Sequence, residues 1–205
     1  MDDLRDYLTN TEVVDWRHSS VLGKARELAG PDDIETARRC FTFVRDDIHH
    51  SWDFRKNPVT CAASEVLGER TGFCYAKSHL LAALLRANGI PAGFCYQRLA
   101  NDESETGVCL HGLNAVYLPE FGWYRIDARG NKPDVDAQFI PPAERLAFTA
   151  EHEGEFLLPG IYANPLPNVI ETLHTYATWE ELAANLPDLH PDALKEFQEH
   201  LRQRT

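Results

Sequence analysis

Hydrophobic residues in the first third of the chain recur at intervals of three and four. Between residues 32 and 48 this spacing predicts an amphipathic helix, with Asp32 as its N-terminal cap. Weaker patterns of the same kind predict shorter helices over 19–28 and over 60–68, the second capped by Thr60. The N-terminal part of the chain is therefore predicted to be helical.

A more continuous apolar pattern follows Gly72. The segment from Cys74 to Ile90 is apolar on more than one face, which predicts a helix buried at the centre of the fold. Asn88-Gly89 is a typical C-terminal cap, and the Pro91 that follows cannot continue a helix. We expect the rest of the chain to be arranged around this helix.

After the central helix, apolar positions alternate with a period of two. The alternation predicts strands over 92–99, 108–118 and 123–127, a polar loop over 101–107, and a further strand over 135–140. In the second strand, odd-numbered and even-numbered residues lie on opposite faces. Helices come first and a mostly antiparallel sheet follows, which is an α+β fold.

The last third of the chain has weaker periodicity. Residues 141–177 are rich in proline and aromatic residues, and we expect them to wrap over the sheet or to rim a site. Thr178 is the candidate cap of a helix that begins at Trp179, and a last amphipathic helix is predicted over 191–203.

Length and composition favour one globular domain. The sequence has no repeat, linker or low-complexity tract, so a single domain is predicted over 1–205, with a core over about 32–140 and a C-terminal wrapping part over 141–205. The longest apolar runs are far short of the roughly 18 residues that a membrane span needs. The acidic N-terminus lacks the apolar core of a signal peptide, and we expect a cytoplasmic protein.

Charge and cysteine content exclude some classes of partner. The formal net charge of −12 argues against nucleic acid or an anionic membrane as a partner. An odd number of cysteines without a C-x-x-C pair argues against a structural zinc site and is typical of reduced thiols. The five are Cys40, Cys61, Cys74, Cys95 and Cys109.

Cys74, His111 and Asp127 are the candidate catalytic residues. A thiol at a helix N-terminus lies among unpaired N–H groups at the positive end of the helix dipole, which favours the nucleophilic thiolate. The short turn over 119–122 allows antiparallel strands to bring His111 beside Asp127, where the carboxylate would orient the imidazole and stabilise its cation. Taken singly, each residue has a structural alternative: a core cysteine, a buried histidine or a turn-forming aspartate.

Four blocks resemble the bacterial transglutaminase-like family, part of the papain-like cysteine protease superfamily. The blocks are R-T-G-F-C-Y-A-K at 70–77, L-L-R-A-N-G-I-P-A at 84–92, L-H-G-L at 110–113 and G-W-Y-R-I-D at 122–127. The similarity spans about residues 35 to 135 and keeps the family's order of motifs. The chain departs from many relatives where Gly-Leu, in place of Ala-Trp, follows His111, and where Ala, in place of Pro, follows Asp127.

The resemblance implies a papain/transglutaminase-like core in which the helix of the nucleophile packs on the sheet. It implies Cys74 as nucleophile, His111 as base and Asp127 as orienting acid. The reaction implied is acyl transfer on a peptide or small amide through a thioester. Water resolves the thioester in a protease or amidase, and a primary amine resolves it in a transglutaminase. No metal or organic cofactor is expected.

Other roles near the predicted site stay open. The oxyanion would bind the backbone N–H of Cys74 and one further donor. The candidates for that donor are Trp52, Gln97 and Tyr75. Cys109 shares the strand face of His111, and it either packs there or forms an oxidation-sensitive pair with Cys74. His49-His50 is a poor metal site because adjacent residues of a helix point in different directions.

Two other functions are compatible with the fold. One is a non-catalytic binding or scaffold protein, against which the intact Cys, His and Asp argue. The other is an acyltransferase related to the arylamine N-acetyltransferases, against which the acidic charge balance argues, since no basic pocket for coenzyme phosphates is evident.

Overall fold

Helices dominate the first half of the chain. A computed structural model describes residues 3–101 and 107–189. A 3-10 helix at Leu4–Leu8 is followed by α1 (Ser19–Leu28), α2 (Asp33–Asp47), α3 (Ser51–Phe54), α4 (Ala63–Glu69) and α5 (Cys74–Ala87). The order of helices first and sheet second confirms the predicted α+β class.

The two most periodic segments form the helices that the sequence predicts. The Asp32 carboxylate accepts a hydrogen bond from the backbone N–H of Glu35, which satisfies one of the free donors at the start of α2. Every residue of α5 from Cys74 to Arg86 is buried, so this helix lies at the centre of the core. Its apolar character on all sides is explained by this burial.

The predicted cap at Thr60 is wrong. Helix α4 begins at Ala63, and the Thr60 hydroxyl instead donates to the backbone carbonyl of Thr71, 2.9 Å away. The Glu65 carboxylate accepts from the backbone N–H groups that precede the helix. The Thr60 hydroxyl thus binds a carbonyl outside the helix, whereas the local sequence predicts that it caps the helix.

The main sheet is antiparallel, and its four strands are β3 (Ala92–Ala100), β4 (Val108–Leu118), β5 (Gly122–Ile126) and β8 (Phe156–Leu157). They lie in the order β5-β4-β3-β8. The first three agree with the strands that the sequence predicts. Residues 102–106 of the predicted polar loop lie outside the described residues. At the two ends of this loop, the backbone N–H of Asn101 donates to the carbonyl of Gly107.

The two faces of β4 have different partners, as the period of two predicts. Even-numbered Leu110, Val116 and Leu118 belong to the main core, whereas odd-numbered Leu113 and Ala115 pack in a smaller cluster with Cys95. The buried Asn114 amide donates to the backbone carbonyls of Ser78 and Gly93, 3.0 and 3.1 Å away. This side chain therefore ties α5 to β4 and β3.

The segment after β5 differs from its prediction. A strand forms only at β6 (Gln138–Ile140), and it pairs with β7 (Ala143–Arg145) in a separate hairpin. Within 141–177, β8 extends the main sheet, and residues Pro167–Thr175 form helix α6, which the sequence pattern does not predict. The proline begins this helix, and its buried residues Val169 and Leu173 are four positions apart, which is too short a pattern to be recognised in a proline-rich segment.

Local capping decides the start of the last described helix. In α7 (Trp179–Ala184), the Thr178 hydroxyl accepts from the backbone N–H of Glu181, whose carboxylate accepts from the backbone N–H of Thr178. The helix predicted over 191–203 lies outside the described residues. Within 3–101 and 107–189, no helix is long and apolar enough to cross a membrane.

Candidate active site

A short parallel pairing fixes the start of the nucleophile helix. Strand β1 (His49–His50) pairs with β2 (Thr71–Gly72), so that His50 lies opposite Gly72. A Cβ at Gly72 would lie only 3.1 Å from the Cβ of Ala76, so the small residue lets the chain approach α5 closely. Cys74 begins α5 and is 7% exposed. The thiol therefore lies at the helix N-terminus that the sequence predicts.

The N-terminal end of α5 contacts β4 ahead of the residues that pair with β5. β5 pairs with β4 only from Asn114 onward. The Tyr75 hydroxyl donates to the backbone carbonyl of Leu110. A Cβ at Gly112 would lie 3.0 Å from the Tyr75 ring and 3.3 Å from its Cα, so glycine at this position lets the helix dock closely. This contact accounts physically for Gly112 directly after His111.

His111 and Asp127 are joined by a buried hydrogen bond. Nε2 of His111 lies 2.7 Å from Oδ2 of Asp127, and the two residues are 4% and 1% exposed. The backbone N–H groups of Ala147 and Arg129 also donate to the Asp127 carboxylate, each at 3.1 Å. Because Nε2 is bound to Asp127, the ring nitrogen that remains for Cys74 is Nδ1.

The electrostatics of this pair favour the charged forms. Burial opposes protonation of His111, but the charges of Asp127 and a Cys74 thiolate, with the hydrogen bonds to both, raise the pKa of His111 above its ordinary value. Burial likewise opposes ionisation of Asp127, and the charge and hydrogen bond of His111 outweigh it and lower the pKa of this carboxyl. The imidazolium is thus stabilised next to the thiol.

Cys74 and His111 line the same cavity, which has a volume of about 770 Å³. Asp127 does not line it and lies behind the His111 ring. The cavity is rimmed by Ala147, Phe148 and Thr149 from the segment expected to wrap the sheet. Its size and its mixture of apolar and polar walls suit a small organic group or a peptide segment.

The three candidate oxyanion donors differ in whether they already donate a hydrogen bond within the protein. The Tyr75 hydroxyl is taken by Leu110, and the Gln97 amide donates to the backbone carbonyl of Phe148 at 3.0 Å. The Trp52 indole lines the cavity and makes no hydrogen bond to the described residues. Cys109 lines the cavity as well.

Several wall residues were not identified from the sequence. Arg129 binds both oxygens of Asp53, at 2.6 and 3.0 Å, and Lys132 binds one of them at 3.1 Å. The ring of Phe148 contacts His111 edge-on with centroids 5.0 Å apart. Of these wall residues, only Arg129 could have been suspected from the sequence, because it lies in the segment after Asp127 where the chain departs from its relatives.

Lys77, one turn after Cys74, is a buried lysine in a mostly apolar helix. Its Nζ donates to the backbone carbonyls of Ile48 and Arg45, 2.5 and 3.4 Å away, and so holds the C-terminal end of α2. Burial, helped by the charge of Arg129, lowers the pKa of Lys77 to about 7. A single lysine within an apolar helical run is a sequence signal that could have identified this contact.

Lys77 is expected to make folding stability depend on pH. Its pKa is lower in the folded than in the unfolded chain, so the unfolded state binds more protons between pH 7 and about 10.5, and stability rises with pH across this window. Relative to Lys77→Met, the free energy of unfolding of the wild type should increase by about 3 kcal/mol from pH 6 to pH 9. Urea unfolding of both proteins at the two pH values measures this change. The prediction is wrong if the free energies of unfolding of the wild type and Lys77→Met differ by the same amount at pH 6 and at pH 9.

The other four cysteines are buried free thiols. Burial raises the pKa of Cys40, Cys61 and Cys95 to about 12 and that of Cys109 to about 11. Their thiolates are therefore scarce at neutral pH. Within the described ranges, no group of three or more His, Cys, Asp or Glu side chains could hold a metal ion.

Comparison with known proteins places the chain in a family. Residues 23–128 match the transglutaminase-like superfamily. Similar solved structures include a candidate cysteine protease from Cytophaga hutchinsonii, with 19% identity, a TM-score of 0.49, and coverage of 63% of this chain and 43% of that one. Another is the periplasmic domain of TgpA from Pseudomonas aeruginosa, with 22% identity, a TM-score of 0.47, and coverage of 62% and 48%.

These alignments include less than half of either solved chain. Comparison with curated proteins gives no match. The assignment therefore depends on the superfamily match, which extends over more than half of the sequence and contains the segments that carry Cys74, His111 and Asp127. On this basis the chain belongs to the transglutaminase-like superfamily.

Proposed function

We propose that this protein is a thiol-dependent enzyme that transfers the acyl group of an amide, with Cys74 as nucleophile, His111 as base and Asp127 as orienting acid. The observation that carries the proposal is the buried hydrogen bond between His111 and Asp127, in the wall of the cavity where α5 begins with Cys74. A helix N-terminus and an imidazolium both stabilise a thiolate.

The reaction begins with attack of the Cys74 thiolate on the amide carbonyl. The backbone N–H of Cys74 has no partner within the helix and binds the oxyanion that forms. His111 then protonates the leaving amine as the tetrahedral intermediate collapses to a thioester. His111, now neutral, takes a proton from the acyl acceptor, and the thioester is resolved.

Hydrolysis is the outcome that we propose. Water reaches the cavity without a dedicated site, whereas transamidation requires a second pocket that holds an amine. The substrate is a peptide or a small amide. A panel of amides, assayed with and without added primary amines, separates acid products from new amides.

Selective alkylation tests the proposed nucleophile. At pH 6, iodoacetamide should modify Cys74 at least about tenfold faster than Cys61 or Cys95, because only the thiolate reacts and burial holds those two as thiols. Peptide mass mapping over time measures the rates, and amide turnover should fall in proportion to the modification of Cys74. Equal rates at the three cysteines would favour a non-catalytic scaffold.

A further inference from the structure

His50 lies in the cavity wall near Cys74 and has no role in the mechanism proposed for Cys74, His111 and Asp127. The pairing of β1 with β2 sets His50 opposite Gly72, two residues before Cys74, and its ring packs edge-on against Phe73 with centroids 5.6 Å apart. His50 lines the cavity together with Cys74 and His111. Its imidazole is therefore held beside the first turn of α5.

The polar atoms of this ring are not satisfied by the protein. His50 is only 5% exposed, and its Nδ1 is sealed from solvent without a hydrogen-bond partner. Nε2 makes no hydrogen bond to the described residues either. Buried polar groups are normally paired. Since Nδ1 is sealed, the ring nitrogen that remains for a molecule in the cavity is Nε2.

No group of the described residues accepts a hydrogen bond from Nδ1 of His50. The carboxylate of Asp53 lies 3.7 Å from Nδ1, beyond hydrogen-bonding distance, and is bound by both Arg129 and Lys132. Two cations on one carboxylate leave this group with a net positive charge. Because Nδ1 has no acceptor for a proton, an oxyanion at Nε2 favours the neutral tautomer that carries its proton on Nε2.

The same charges keep the ring neutral. Burial, followed by the charges of Arg129 and Lys77, lowers the pKa of His50 well below its ordinary value. A neutral ring that carries its proton on Nε2 donates one hydrogen bond into the cavity. A net positive surrounding also stabilises negative charge that develops on a bound substrate.

We infer that His50 is a catalytic residue whose Nε2–H donates the second hydrogen bond to the oxyanion, beside the backbone N–H of Cys74. This inference rests on the proposed function, since it assigns a group to the same intermediate. It replaces the donors considered from the sequence. Tyr75 and Gln97 are engaged elsewhere. Trp52 also lines the cavity, but it is less buried than His50 and its ring centroid lies farther from that of Phe73, at 6.5 Å against 5.6 Å.

Two reactions of the same thiol test the role of His50. Acylation of Cys74 by p-nitrophenyl acetate passes through an oxyanion, whereas alkylation by iodoacetamide does not. His50→Phe keeps a ring but removes the donor, and His50→Gln retains an N–H. His49→Phe is the matched control, because His49 is the adjacent imidazole and does not line the cavity.

The expected result separates the two reactions. His50→Phe should slow acylation at least about tenfold, since removal of one oxyanion donor typically costs about 10²–10³-fold, and should leave the alkylation rate within about twofold. His50→Gln should recover most of the loss, and His49→Phe should acylate like the wild type. Burst kinetics and mass mapping measure the two rates.

Other outcomes would overturn the inference. Wild-type acylation in His50→Phe, an equal loss of both reactions, or a loss found in Trp52→Phe but not in His50→Phe would each remove the role of His50. If wild-type Cys74 undergoes neither reaction, the proposed function and this inference both fail. If Cys74 acylates with the expected dependence on His50 but no amide is turned over, the inference stands and the proposed function falls.

Discussion

Replacement of Cys74 by alanine is expected to abolish amide cleavage, with kcat at least about 10⁵-fold below that of the wild type. Removal of the nucleophile of such a triad costs about 10⁶-fold in a serine protease, because no other group forms the covalent intermediate. The fold should persist, since Cys74 contributes little buried surface beyond its sulfur. Amide hydrolysis and thermal unfolding of the purified variant measure the two effects.

Two further variants make the Cys74 experiment specific. Cys74→Ser keeps an oxygen nucleophile of far higher pKa and should also be inactive, which distinguishes thiolate chemistry from general polarity. Cys95→Ala removes a buried thiol in the small cluster on the other face of the sheet and should retain activity. Amide cleavage that survives in Cys74→Ala would refute the assignment of the nucleophile.

Replacement of Asp127 by alanine is expected to lower kcat/KM by about 10⁴-fold and also to destabilise the fold. Loss of the carboxylate member of a triad costs about 10⁴-fold in kcat where it has been measured. The variant also leaves the backbone N–H groups of Ala147 and Arg129 without their acceptor. Each unpaired buried donor costs about 1–3 kcal/mol. Steady-state kinetics and urea unfolding measure both effects.

Asp127→Asn separates charge from orientation. The amide oxygen can keep the bonds of Oδ2 to His111 and Ala147, and only the bond of Oδ1 to Arg129 must be lost. With its oxygen on His111 and Ala147, the amide keeps the productive His111 tautomer, so the activity loss should be smaller than in Asp127→Ala. Without the carboxylate charge the pKa of His111 falls, so the alkaline limb of the pH profile of kcat/KM should move to lower pH. An unchanged alkaline limb would contradict the role of Asp127.

Elements governed by local interactions were predictable. Helix α5 follows from its continuous apolar run, and α2 and α7 begin where Asp32 and Thr178 cap them. β4 has the predicted bounds because alternation over eleven residues is a strong signal. The residue types for thiol chemistry were equally evident, since nucleophile, base and acid each need a particular side chain.

Elements that depend on distant partners were not predictable. The Thr60 hydroxyl binds Thr71 instead of capping a helix, and only residues 138–140 of the strand predicted over 135–140 form a strand. The pairing of His50 with Gly72 involves two residues on each strand, too few to leave a periodic pattern. For the same reason, the sequence alone suggests no role for the adjacent histidines beyond a poor metal site.

By itself, the sequence determined the order of helices and strands and the side chains capable of acyl-transfer chemistry, because both depend on residue type and near neighbours. The tertiary structure decided which of these side chains meet. It set His111 on a carboxylate that also accepts from Ala147, and it left the His50 ring unpaired in the cavity wall. Hydrogen bonds between residues far apart in the chain create these arrangements, and no local pattern encodes them.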